Sequence, residues 1–210
     1  MSPAAETSLT PAPSHQRRKA ERPQELLDAA LSLFVEKGFA ATRTDEVAAR
    51  AGVSKGTLYL YYASKEELLK AVIAQRLSSQ IAEGARQVAE HEGPCAELLL
   101  SVLAAWWEQV FDSDASGVFK LIITEVRNFP DIAEFYLREV VEPGEHLVGQ
   151  VVQRGIDRGE FRPVDVHVVV HSLVMPMVML CVHKHSLGAC GGMDALAMDP
   201  RRFIRQHIEL

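Results

Sequence analysis

Lys55, Thr57, Tyr59 and Tyr61 stand within two helical turns of one another, a concentration of hydrogen-bond donors along one short stretch. Lys55 can reach a phosphate oxygen or a guanine edge. Gly56 beside it removes side-chain bulk where a backbone would approach DNA, and Thr57 offers both a hydroxyl and a methyl to base edges. The phenols of Tyr59 and Tyr61 can donate to phosphate oxygens. Leu58 and Tyr62, four residues apart, are expected to point inward and anchor the helix on its own domain. Two flanking residues extend the pattern. Thr44 opens the preceding helix and Lys65 the following one, so each offers a phosphate contact to one side of the cluster.

Such residues need elements to hold them. Thr44-Asp45-Glu46 opens a short helix with Val47, Ala48 and Ala51 on its apolar side; Gly52 makes the turn and Val53 fills the gap. Ser54 caps the next helix, which runs to Tyr62. A helix, a tight turn and a second helix place the start of the second helix in a major groove. Upstream, Leu26, Leu27, Ala30, Leu31, Phe34 and Val35 recur at helical spacing. That pattern begins near Arg22, with Pro23 in a first helical position and Gly38 as the stop. Downstream, Ser64 and Glu67 make a capping box for a helix carrying Leu68, Leu69, Val72, Ile73 and Leu77 to about residue 90.

Residues 1–16, rich in Pro, Ala, Ser and Thr, show no apolar period and are expected to form a disordered arm. From residue 94 the pattern is again helical, punctuated by Gly93-Pro94, 113–117, Phe129-Pro130, Pro143-Gly144 and 159–163. No stretch alternates as a strand would. The fold class is therefore all-α, with about nine helices.

Net charge is −6, which taken alone argues against nucleic acid. Its distribution argues otherwise: residues 1–70 carry 10 Lys and Arg against 9 Asp and Glu, while residues 71–210 carry 12 against 19. An acidic body with a locally basic end suits a small phosphate footprint. Three widely spread cysteines, Cys95, Cys181 and Cys190, do not make a disulfide framework. No secretory signal is apparent, and Val164 to Val182, the longest apolar candidate, is interrupted by Asp165, His167, His171 and Pro176. A cytoplasmic protein without a membrane span is expected. Glycine-rich phosphate loops, nucleophile elbows and spaced metal ligands are missing, so neither an enzyme nor a cofactor is expected. Cys181, His183 and His185 fall at i, i+2 steps, about 200° apart on a helix, which scatters them as metal ligands. A helical adaptor for protein partners would leave Lys55, Tyr59, Tyr61 and Lys65 clustered without cause.

The run Val53-Ser54-Lys55-Gly56-Thr57-Leu58-Tyr59-Leu60-Tyr61-Tyr62, followed by Ser64-Lys65-Glu66-Glu67-Leu68, resembles the signature of the tetracycline-repressor (TetR) family. The likeness covers roughly residues 24–73, with Tyr62 where the family usually has Phe. It implies that Thr44, Lys55, Gly56, Thr57, Tyr59, Leu60, Tyr61 and Lys65 line the DNA. It also implies a helix-turn-helix domain over residues 17–72 and a ligand-binding and dimerisation body over 73–210. The function that follows is a repressor that binds a palindromic operator in double-stranded DNA as a homodimer, released by a small-molecule effector.

Within the body, Phe119 to Gly144 resembles a variant found in repressors near efflux and catabolic genes. Trp106, Trp107, Phe111, Phe119, Met175, Met177 and Met179 are candidates to line a cavity for an apolar or aromatic molecule. Glu125, Arg127, Asn128 and His171 are candidates to orient it. Trp106 and Trp107 are neighbours and do not share a helix face, so only one is expected to point inward. Two apolar helical patterns, about Glu142 to Arg158 and Asp165 to His185, are expected to dimerise as a four-helix interface, with Pro176 kinking the second.

Overall fold

A computed structural model describes residues 14–125, 127–190 and 198–209, with side chains from Glu21 onward. The described residues form nine continuous helical rods and no strand. The first three are α1 (Ser14–Lys37), α2 (Thr44–Arg50) and α3 (Lys55–Tyr61). Next come α4 (65–90), α5 (95–112), α6 (Ser116–Glu125) and α7 (130–157). The last two are α8 (Val166–Lys184) and α9 (Pro200–Glu209). Three rods contain a π turn: Ala74–Ser78 in α4, Leu99–Ala104 in α5 and Leu137–Val141 in α7.

Local chemistry accounts for most boundaries. Gly38 ends α1 at φ +87°, and Gly52 makes the α2–α3 turn at φ +67°, both left-handed conformations that favour glycine. Ser54 Oγ accepts from the Thr57 amide at 3.1 Å, and Ser64 Oγ from the Glu67 amide at 3.1 Å. Asp165 caps α8 by accepting from the His167 and Val168 amides.

Several sequence expectations need correction. α1 starts at Ser14, so Ser14–Gln16 of the expected arm are helical and Pro23 lies well inside the rod. Residues 14–22 are polar and contain no breaker, so apolar periodicity cannot register them. Residues 1–13 lie outside the described residues. The capping box at Ser64 is half made, because the Glu67 carboxylate turns instead to Lys70 at 3.1 Å. Pro143-Gly144 does not interrupt α7; the π turn just before Pro143 absorbs its missing amide. Finally, Val166–Cys190 is long and apolar enough to cross a membrane by length and composition, its most apolar 18 residues having a mean hydropathy of 1.8, despite its histidines and Pro176. Only 22% of its most apolar 18 residues is buried.

One hydrophobic core runs through both halves, from Leu26, Phe34 and Leu58 to Trp107, Phe119, Met177 and Ile208. α1 packs against α2, α4 and α6, while α6 packs in turn against α8. Pro176 leaves the carbonyl of Ser172 without its intrahelical donor. His207 of α9 lies at 2.8 Å from that oxygen through Nε2 and takes the vacant role. α9 is further tied to α5 by Arg205–Glu108 and Arg201–Asp112.

Candidate nucleic-acid interface and body cavity

α3 is short; its one fully buried side chain, Leu58, joins the hydrophobic core, and the helix packs on α2. Lys55 and Gly56 are exposed, Tyr59 is 44% exposed and Leu60 84%. A leucine so exposed gains nothing from burial in this chain. Thr57 is half-buried, and its hydroxyl lies 2.9 Å from the Ser54 hydroxyl. Tyr61 and Tyr62 both pack against the core. The Tyr62 hydroxyl reaches the Pro23 carbonyl at 3.4 Å, and burial raises its pKa above the ordinary phenol value.

The outer edge of α3 closes a shallow polar concavity with the starts of α2 and α4, where Thr44, Lys55, Tyr59, Ser64 and Lys65 meet. The Thr44 and Tyr59 hydroxyls share a hydrogen bond at 3.0 Å, and the Lys55 ammonium lies 5.9 Å from the Tyr59 ring. Arg43 also borders the concavity and was missed from sequence; its place immediately before Thr44 was the available signal. Its guanidinium pairs with Asp45 at 3.1 Å and holds that carboxyl below its usual range. Lys65 departs from expectation. Its ammonium donates to the carbonyls of Phe39, Ala40 and Thr42 at 2.8, 3.2 and 3.0 Å.

The body encloses a cavity of about 300 Å³. Its wall is almost wholly apolar: Leu103, Trp106, Trp107, Phe119, Tyr136, Val148 and Met175 contribute, with Gln80 and Glu145 as polar members. The two tryptophan rings meet edge to face at 4.6 Å. Both indole N–H groups are buried without a hydrogen-bond acceptor among the described residues. Burial also raises the Tyr136 phenol well above its ordinary pKa. All three rods with π turns contribute to this wall.

Known proteins match this arrangement along most of the chain. Residues 26–72 match the bacterial regulatory proteins of the tetR family, and residues 89–188 the tetracyclin repressor-like C-terminal domain. The HTH-type transcriptional regulator YfiR of Bacillus subtilis is 32% identical over 71% of this chain and 72% of its own length. The chain belongs to the TetR family. Another relative, the HTH-type transcriptional repressor KstR2 of Rhodococcus jostii, is 30% identical over 73% of this chain and 75% of its own. Among solved structures, the transcriptional regulator FadR of Bacillus subtilis, in complex with stearoyl-CoA, superposes with a TM-score of 0.72. That match covers 89% of this chain and 96% of FadR, at 19% identity.

In this TetR-family transcriptional regulator the expected cavity residues divide. Trp106, Phe119 and Met175 line the wall. Trp107 lines it too, because adjacent helical residues are about 100° apart and the cavity is broad enough to meet both. Phe111 does not: it lies under the Lys184 ammonium, 4.8 Å from its ring centre. Met177 is core, and Met179 is 58% exposed. Glu125 ends α6 beside Gly38, and Arg127 and Asn128 are exposed in the turn that follows. His171 lies outside, its Nε2 at 3.4 Å from Glu145. Tyr136, Gln80 and Glu145 were missed, since only the packing of distant helices brings them to one space. Among the described residues no three His, Cys, Asp or Glu side chains gather as a metal site. Burial pushes the Cys181 thiol up to about 12, which keeps it protonated and unreactive at neutral pH.

Proposed function

We propose that this protein is a dimeric, ligand-responsive repressor that reads a palindromic operator in the cytoplasm through α3. The observation that carries the reading is the outer face of α3, where Lys55, Gly56, Tyr59 and Leu60 are exposed while Leu58 is fully buried. Lys55, Gly56, Thr57 and Leu60 are assigned to base edges and thymine methyls. Thr44, Tyr59 and Tyr61 are assigned to phosphates. A mobility-shift titration with the DNA beside its own gene tests this. Sequence-selective binding at moderate salt is expected, and its absence sinks the reading.

The apolar cavity supports an effector with a long or bulky hydrocarbon part. Stearoyl-CoA bound to FadR supports the acyl class in particular. The unpaired indole N–H groups of Trp106 and Trp107 favour an effector that also carries an acceptor oxygen. Dimerisation is supported by α8, which exposes Val168 at 61%, Met175 at 53% and Met179 at 58% along one stripe. Exposed apolar surface of that kind marks an interaction face, here assigned to a second copy. Sedimentation as a monomer at micromolar concentration would count against the dimer while leaving DNA binding to be judged separately.

A further inference from the structure

We infer that Tyr136 is the polar anchor of the body cavity, and that it selects an elongated effector whose acceptor oxygen is uncharged. The inference rests on the reading of that cavity as the effector site and names the chemistry the site takes. Tyr136 lines the wall, and among the described residues its hydroxyl has no hydrogen-bond partner. The residue is only half-buried, yet burial holds the phenol well above its ordinary pKa, with the nearby Cys181 thiol adding to the effect. A side chain with open surface but so little contact with bulk water opens inward, onto the cavity. The indole nitrogens of Trp106 and Trp107 differ, because protein atoms cover both and an effector reaches them only if the rings turn. Tyr136 needs no such movement.

The wall decides what that hydroxyl can meet. α7 presents a stripe to the cavity that runs from Tyr136 through Val140, Gly144 and Val148 to Val151. At 1.5 Å per residue the stripe is roughly 20 Å long, so the cavity is a narrow channel with Tyr136 at one end of the stripe. A long hydrocarbon chain fits such a space, and one hydrogen bond near its end fixes its register. No lysine, arginine or histidine lines the wall, and its one charged member is the Glu145 carboxylate, which has His171 at 3.4 Å. An anionic group buried here would lose its hydration with no cation of the wall to replace it, a cost that one phenol hydrogen bond does not offset. An uncharged carbonyl or hydroxyl oxygen gives up far less and is repaid by the phenol proton. The effector class is thus a long-chain alcohol, ketone or ester, and not the free fatty acid.

Both tryptophans of the chain line the cavity, so their fluorescence reports binding there directly. Titrations compare decanol, methyl decanoate, ionised decanoate and butylbenzene, which carries no oxygen. They are run on the full chain and on Tyr136→Phe, both checked for folding by circular dichroism. The unmutated protein is expected to bind decanol and methyl decanoate about tenfold more tightly than decanoate. Tyr136→Phe removes the hydroxyl and keeps the ring, so it should weaken the two neutral oxygen-bearing probes roughly tenfold and leave butylbenzene unchanged. Decanoate binding as tightly as methyl decanoate overturns the inference without any variant. A Tyr136→Phe protein that binds decanol and methyl decanoate as its parent does also overturns it. So does one that loses butylbenzene to the same degree, since the packing of the ring would then account for the effect. Binding of butylbenzene but of neither neutral oxygen-bearing probe overturns it as well. Failure of every probe to bind defeats instead the reading of the cavity as an effector site.

Discussion

Two side chains allow sharp tests at the residue scale. Tyr59 is held by Thr44 through its hydroxyl and by Lys55 along its ring, so Tyr59→Phe removes one polar contact while keeping the ring in place. Binding to every duplex should weaken by about 1 kcal/mol, roughly fivefold, in fluorescence-anisotropy titrations. A change confined to one sequence would contradict a phosphate-side role. His185 offers a pH test, with Nε2 2.7 Å from the buried Ser116 hydroxyl. Burial lowers its pKa first, and the charges of Lys184 and Lys120 lower it further, with Asp114 opposing. A histidine depressed in the folded state binds its proton more readily when unfolded. Its stabilising contribution is therefore complete above the ordinary value of about 6.5 and is lost as pH falls toward the folded pKa. The thermal midpoint should drop on acidification through that window, and His185→Gln should flatten the dependence. An unchanged slope in the variant would remove His185 as the cause.

Among the elements, the link between α8 and α9 depends on a proline. Because Pro176 cannot donate to the Ser172 carbonyl, His207 can, and the end of α9 is thereby pinned to the middle of α8. His207→Ala should cost about 1 kcal/mol in chemical denaturation. In a Pro176→Ala background, where the helix supplies its own donor, the same change should cost much less, and equal costs would refute the link. Legibility from sequence also divides at this scale. Gly38, Gly52, Ser54, Ser64 and Asp165 act on neighbours a few residues away, so the starts of α3, α4 and α8 and the end of α1 could be read directly. The start of α1 could not, because its first turns, residues 14–22, carry no apolar stripe and leave no periodic trace. Nor could the cavity wall: Phe111 and Met179 have the same chemistry as Phe119 and Met175, and the packing of α5, α6 and α8 alone separates them.

In the molecule as a whole, α6 is a shared wall. One side contributes Phe119, Ile122 and Ile123 to the cavity; another lies against α1, where a Cβ added to Gly117 would collide with Val35 Cγ2. Val35 is β-branched and has little rotamer freedom in a helix, so it cannot swing aside. Beyond the end of α6, Phe129 grips Phe39, whose carbonyl Lys65 holds. A molecule that moves α6 from the cavity side thus presses on the rod and the turn that seat α2 and α3. Interfaces packed this closely shift between discrete arrangements more readily than they deform. Gly117→Ala imitates that push without touching either the cavity lining or the DNA face. The added methyl should lower stability by about 1–3 kcal/mol through overpacking. It should also change operator affinity several-fold at temperatures where the variant is fully folded, although Gly117 lies on neither α2 nor α3. Operator titrations read beside a thermal melt separate the two effects. A lowered midpoint with parental operator affinity would show that the α1–α6 seam only stabilises the fold, and that the cavity must reach the DNA-reading head by another route.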